Sequence, residues 1–211
     1  MPERNFDTGK QLLADIAPVV PVADFSDTEH AAACCELFNQ CSVPSVEVTL
    51  RRSNAWDSLS ECVRAMPNAA VGVGTIVDAE QLHKAKDLGV AFAISPGLLP
   101  ELVEVAQKLD LPYFPGIATA SELMLARSLG LTALKFFPAE AAGGIPMLKG
   151  LGAPFAEISF CPTGGISQSN YRDYLALANV SCVGGSFVIP SMAAIESDRD
   201  AQLAMLVDIY G

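Results

Sequence analysis

Basic residues are scarce in this chain: 13 Lys and Arg stand against 24 Asp and Glu, a net charge of −11 over 211 residues. Nucleic-acid affinity is built largely on basic patches, so a nucleic-acid partner is excluded. Charged residues of both signs make up only 18% of the chain, too few for a disordered or coiled-coil protein. No apolar run approaches the roughly 20 residues of a membrane-spanning helix, so no membrane partner is expected. The stretch from Met1 to Lys10 is polar, with Glu3, Arg4 and Asp7, and lacks the basic start and apolar middle of a signal peptide. A cytoplasmic location is the expectation. The six cysteines (Cys34, Cys35, Cys41, Cys62, Cys161, Cys182) form no C-x-x-C pair and no zinc-like spacing with histidine, so they read as small buried hydrophobes. Only two histidines occur, His30 and His83, far apart in sequence, which excludes a histidine-based metal site.

What the chain has in abundance is small aliphatic residues, part of a 51% hydrophobic content arranged as short apolar runs alternating with amphipathic stretches. The runs fall at Pro18 to Ala23, Val46 to Leu50, Ala70 to Ile76, Phe92 to Ile94, Tyr113 to Ile117, Ala133 to Phe137, Ile158 to Cys161 and Val180 to Val183. Helix signals separate them: capping-box spacings at Ser26 to Glu29 and Thr119 to Glu122, an N-cap at Asp78, and stops at Pro67, Gly89 and Gly130. A final helix is expected from Ala193 onward. Eight units over 211 residues give about 26 residues each, near the minimum for a parallel crossover. Parallel strands covered on both faces also account for the aliphatic composition. The expected fold is α/β, a single-domain (β/α)8 TIM barrel spanning residues 1–211, with a doubly wound open sheet as the alternative.

Polar residues inside such runs are informative, because burying them costs several kcal/mol unless they are paired or used. In Val46-Glu-Val-Thr-Leu-Arg51, the period of two puts Glu47, Thr49 and Arg51 on the inward face. In Ala133-Leu-Lys-Phe-Phe-Pro138, Lys135 is inward with Ala133 and Phe137. An inward lysine flanked by Phe136 and Phe137 is partly desolvated, which favours the neutral amine that attacks a carbonyl. A structural reading stands beside this one: a Glu47–Arg51 ion pair, with Lys135 reaching solvent or pairing with Glu47. Glycine pairs follow runs seven and eight, in Cys161-Pro-Thr-Gly-Gly165 and Gly184-Gly-Ser186. Glycines there let backbone N–H groups approach an anion, and the loops after strands seven and eight of a barrel are its usual phosphate cradle.

Four segments resemble one family over about Leu12 to Ile195: Val46-Glu-Val-Thr-Leu-Arg51, Phe92-Ala-Ile-Ser-Pro-Gly97, Leu134-Lys-Phe-Phe-Pro-Ala-Glu140 and Phe160-Cys-Pro-Thr-Gly-Gly-Ile166. They look like the 2-keto-3-deoxy-6-phosphogluconate (KDPG) aldolases, a family that includes 4-hydroxy-2-oxoglutarate (KHG) aldolases. The resemblance implies a class I aldolase, a lyase of Entner–Doudoroff carbohydrate metabolism, in which Lys135 matches the Schiff-base lysine and Glu47 the general acid/base. It further implies that Arg51 and Thr75 hold the pyruvyl carboxylate and that Thr163 lies near the substrate hydroxyls. Gly164, Gly165, Gly185 and Ser186 match the phosphate-binding segments, while Pro96 and Phe137 line the pocket. The implied enzyme needs no metal or other cofactor and is a homotrimer acting on a phosphorylated 2-keto-3-deoxy sugar acid and pyruvate. The chain departs from the family at Cys41-Ser-Val-Pro-Ser45, where a glycine-containing turn is usual.

Three rival functions remain open. The same chemistry would serve 4-hydroxy-2-oxoglutarate or the galactonate epimer of the sugar acid. A sugar-phosphate isomerase or epimerase could share the phosphate cradle without an imine. A barrel that only senses a sugar phosphate would bind without turnover.

Overall fold

The computed structural model describes residues 7–211; the first six residues of the polar N-terminal stretch lie outside it. Helix α1 (Asp7–Asp15) precedes eight strand-helix units. These run β1 (Val19–Ala23), α2 (Thr28–Gln40), β2 (Ser45–Thr49), α3 (Ala55–Ala65), β3 (Ala70–Gly74), α4 (Ala79–Leu88), β4 (Phe92–Ser95), α5 (Pro100–Lys108) and β5 (Tyr113–Ile117). The series continues α6 (Ala120–Ser128), β6 (Ala133–Phe136), α7 (Gly144–Gly152), β7 (Ser159–Pro162), α8 (Tyr171–Leu175), β8 (Val183–Gly185), α9 (Met192–Ser197) and α10 (Arg199–Tyr210).

The strands are parallel and ordered β7-β6-β5-β4-β3-β2-β1-β8. Bridges from Thr163 to Gly184 and from Phe160 to Val180 join the two ends, with Phe160 N donating to Asn179 O at 2.8 Å. That seam makes the sheet a TIM barrel and removes the open-sheet alternative.

Local chemistry sets most boundaries. Asp78 accepts from Gln81 N to open α4, and Gly89, at φ +82°, closes it. Thr119 and Glu122 form a complete capping box on α6. At α2 the cap is Asp27 rather than Ser26: its carboxylate accepts from His30 N at 2.8 Å, while Ser26 Oγ donates to Asp27. A charged acceptor one residue on displaces the hydroxyl. The expected last helix is two helices, because Asp198 leaves the helical region at φ −155° and caps α10 through Ala201 N. Strand eight also lies later than its apolar run suggests, since the chain pairs with β1 through Gly184 and Gly185.

Two separate cores result. The larger lies between the strands and the surrounding helices and includes Leu37, Val46, Val73, Leu134 and Phe136. The smaller fills the barrel itself, where Leu13 and Ile16 pack with Val20, Phe92, Ile94, Phe114, Ala133, Cys161 and Cys182. Helix α1 and the residue after it thus plug the end from which the strands start, leaving the C-terminal strand ends for chemistry.

Candidate active site

Strands β2 and β6 lie four positions apart in a ring of eight, so their inward side chains meet across the barrel axis. Glu47 Oε1 accepts from Lys135 Nζ at 3.2 Å, with side-chain exposures of 1% and 5%. The structure therefore pairs Glu47 with Lys135 and not with Arg51. Space for the carboxylate comes from β3, where Gly74 is inward and any Cβ would collide with Glu47 Oε1. Lys135 Nζ also lies 5.2 Å from the centroid of the Phe137 ring. A buried carboxylate within hydrogen-bond reach of a buried amine can take the proton that the ammonium must lose before it attacks a carbonyl.

At the C-terminal ends of the strands is a cavity of about 440 Å³, whose wall includes Thr49, Arg51, Phe137, Thr163, Gly164, Gly165, Gly185 and Ser186. Eight sequence-predicted residues or their strand neighbours thus share one space; Lys135 and Glu47 are not part of its wall and adjoin it through Phe137, whose ring centroid lies 5.2 Å from Lys135 Nζ, and through Thr49 on the strand of Glu47. Thr49 Oγ1 donates to Ala23 O at 2.9 Å, tying β2 to the end of β1. Arg51 lies just past β2, exposed at the mouth of the cavity, while Arg52 Nε takes the ion pair with Asp24 at 2.9 Å. Thr75 and Pro96 follow β3 and β4 and are not part of the cavity wall. Thr75 is half-buried at φ +67°, a conformation disfavoured for a β-branched residue and found where surroundings impose it. Pro96 is exposed in a turn held by Tyr113, whose hydroxyl donates to Ser95 Oγ at 2.6 Å, and Ser95 Oγ in turn donates to Gly97 O at 2.7 Å. Burial pushes the Tyr113 hydroxyl up to about 12, so it remains a donor at neutral pH.

Gly164 and Gly165 have φ of +98° and +81°, which only glycine adopts freely. Their carbonyls are engaged on the far side, Gly164 O by Glu140 N at 3.1 Å and Gly165 O by Asn170 Nδ2 at 3.1 Å. In a trans peptide the N–H points opposite to the C=O, so the N–H groups of Gly165 and Ile166 turn away from those partners. Tyr174 donates to the carboxylate of Glu140, whose Cβ and Cγ pack against Gly165; burial, then Glu140, holds the Tyr174 hydroxyl well above its usual range.

Three contributors escaped the sequence reading. Gly74 and Glu140 act by the room and support they give to others, and His30 lines the cavity, where the sequence pattern gives no sign of it. Among the described residues no group of three or more His, Cys, Asp or Glu could hold a metal ion.

The family model described as KDPG and KHG aldolase matches residues 12–205. The chain belongs to the KDPG and KHG aldolase family. It is 43% identical over 197 residues to the KHG/KDPG aldolase of Escherichia coli (strain K12), covering 93% of this chain and 92% of that relative. Its fold matches the KDPG aldolase of Legionella pneumophila, solved with pyruvate captured at low pH as a covalent carbinolamine intermediate, at a TM-score of 0.88 and 38% identity. That match covers 96% of this chain and 98% of the other. The Zymomonas mobilis ZM4 KDPG aldolase, solved with 3-phosphoglycerate, matches at 0.87 and 34% identity, over 96% and 95% of the two chains. Membership of this family makes the chain a lyase of the aldolase type.

Proposed function

We propose that the protein cleaves 2-keto-3-deoxy-6-phosphogluconate to pyruvate and glyceraldehyde 3-phosphate through an imine on Lys135. The observation that carries this reading is the buried Lys135–Glu47 contact of 3.2 Å, with Lys135 beside Phe137 in the wall of a glycine-rimmed cavity. Neutral Lys135 attacks carbon 2 of the substrate, and the carbinolamine loses water to give a protonated imine. Glu47, directly or through a water, removes the proton of the hydroxyl on carbon 4. The electrons of the bond between carbons 3 and 4 pass into the imine, and glyceraldehyde 3-phosphate leaves an enamine on Lys135. Glu47 returns a proton to carbon 3, and water hydrolyses the imine to free pyruvate and the lysine. One carboxylate serves both directions because each proton it takes is given back.

Arg51 and Thr75 would hold the pyruvyl carboxylate, Thr163 would meet the substrate hydroxyls, and Pro96 and Phe137 would shape the pocket. Gly164, Gly165, Gly185 and Ser186 would bind the phosphate, largely through backbone N–H groups, which suits a chain with few cations. The 3-phosphoglycerate bound by the Zymomonas relative supports a phosphorylated ligand. The name of the Escherichia coli relative supports 4-hydroxy-2-oxoglutarate as a second substrate. The rest of the reading is a homotrimer of single-domain chains in the cytoplasm, independent of cofactors. Exposed Val77, Leu99 and Met124 are apolar surface that subunit contacts would cover, and six free cysteines suit a reducing compartment.

Borohydride reduction in the presence of pyruvate should leave a mass adduct on Lys135, and Lys135→Ala should abolish both adduct and cleavage. Glu47→Gln should lower kcat by about 100-fold while pyruvate binding changes far less. Absence of an adduct would favour an isomerase or epimerase, and full activity of Glu47→Gln would remove the role given to Glu47.

A further inference from the structure

We propose that His30 is a positioning residue: it fixes the β8 half of the phosphate cradle and thereby sets the preference for phosphorylated over unphosphorylated substrates. This rests on the reading of Gly185 and Ser186 as phosphate ligands.

The His30 ring is buried, and its Nε2 lies 2.8 Å from Pro190 O, a partner 160 residues away in sequence. A carbonyl only accepts, so Nε2 carries the proton. Nδ1 is then the acceptor that faces Ser26 N at 3.4 Å. The backbone of His30 is itself anchored, since its N–H caps onto Asp27, and Phe25 meets the ring edge-on at a centroid distance of 5.3 Å. One turn further along α2, Cys34 Sγ donates to the same carbonyl at 3.7 Å. Burial pushes the Cys34 thiol up to about 12, so it stays an S–H donor.

Pro190 has no N–H, so its carbonyl is its only backbone hydrogen-bonding group, and α2 supplies both donors to it. That carbonyl closes the segment that starts at Ser186, which is tightened by Ile189 N donating to Ser186 O at 3.0 Å. Val188 pins the middle of the segment in the core, and Ser191 ends it by capping α9 through Ala194 N. His30, Gly184, Gly185, Ser186, Ile189 and Pro190 all face the same cavity. Removing the His30 donor leaves the buried Pro190 carbonyl with only the weak, 3.7 Å thiol donor of Cys34, and the segment can recover a full partner only by moving. Such movement shifts the donors at Gly185 and Ser186, while Lys135 and Glu47 stand on other strands. The penalty therefore falls on substrates that carry a phosphate.

The test compares kcat/KM for 2-keto-3-deoxy-6-phosphogluconate with kcat/KM for 4-hydroxy-2-oxoglutarate in each variant, so the active fraction cancels from the ratio. In His30→Asn the amide is too short to reach Pro190 O, and the ratio should fall about tenfold. In His30→Gln the amide nitrogen takes the place of Nε2, and the ratio should stay within about twofold of wild type. Cys34→Ala removes the second donor and should lower the ratio less, in the same direction, which keeps the proposal testable if His30→Asn does not fold. Ser186→Ala reports on the cradle itself. A ratio unchanged by His30→Asn or Cys34→Ala but lowered by Ser186→Ala overturns the role of His30 and leaves the cradle standing. A ratio that Ser186→Ala also fails to move overturns the cradle, and the inference with it.

Discussion

At the scale of single residues, the site depends on a side chain that is missing. Gly74 is the inward residue of β3 that neighbours Thr49 in register, and the Glu47 carboxylate occupies the place where a Cβ would stand. In Gly74→Ala the carboxylate must swing away from Lys135 or β3 must retreat, and either change lengthens the 3.2 Å contact. A misplacement of about 1 Å at a reacting group can lower a rate by about 100-fold, so kcat should fall at least tenfold. The borohydride adduct on Lys135 should still form, because the amine itself is untouched. Steady-state kinetics with wild-type kcat would mean that Glu47 needs no fixed position. The period of two made Glu47, Thr49 and Lys135 legible, since a polar side chain facing inward violates the composition around it. Gly74 was not legible, because a glycine signals the room it leaves only once the neighbouring strand is known. His30 was not legible for the same reason, its partner being Pro190.

At the scale of elements, caps decide where the helices begin, and α6 has the most complete one. Thr119 Oγ1 accepts from Glu122 N at 3.3 Å, while Glu122 Oε2 accepts from Ala118 N and Thr119 N at 2.9 and 2.8 Å. Thr119→Ala should therefore destabilise the fold by about 1 kcal/mol in urea unfolding. The Glu122 carboxyl is subject to burial, which opposes ionisation, but the N–H groups of Ala118 and Thr119 and the Thr119 hydroxyl outweigh it and hold the group below its usual 4.5. A depressed carboxylate stabilises the fold above its unfolded value and loses that contribution as the pH falls through the lower folded value. Glu122→Gln should thus be less stable than wild type at neutral pH, with the difference closing in acid. An unchanged gap in acid would show that the charge does not contribute. This capping box was readable from Thr119-Ala-Ser-Glu122 alone, since every partner lies within four residues. The α2 cap lies one position past the Ser26 that the capping-box spacing indicates, because Ser26 and Asp27 are both good caps and only the packed helix chooses between them. Strand β8 was displaced for another reason: Gly184 and Gly185 look like a turn, yet Gly184 is the place where Thr163 comes too close for any Cβ.

At the scale of the whole molecule, the alternation of eight units made the barrel legible, but α1 lay hidden in a stretch that reads as polar. Its partners are the inward residues of β1, β4, β5 and β6, which no local pattern of Leu12, Leu13 and Ile16 can announce. The plug matters because the barrel interior is a small core in its own right, separated by the sheet from the larger one. Leu13 and Ile16 are each 1% exposed and pack against aromatic and aliphatic side chains that stand on several strands at once. Leu13→Ala should accordingly lower the unfolding free energy by about 2–5 kcal/mol, near the upper part of the range if α1 cannot settle into the gap. The space left falls in the apolar cluster that includes Phe92, Ile94 and Phe114 and should stay dry, because an apolar cavity offers water no partners. The Lys135 adduct with pyruvate should then form at the wild-type rate in the folded variant even as the urea midpoint drops. A loss below about 1 kcal/mol would show that α1 rests against the barrel without joining its cooperative core. A slowed adduct would show instead that the setting of Lys135 depends on the plug, which would make the interior core part of the catalytic apparatus.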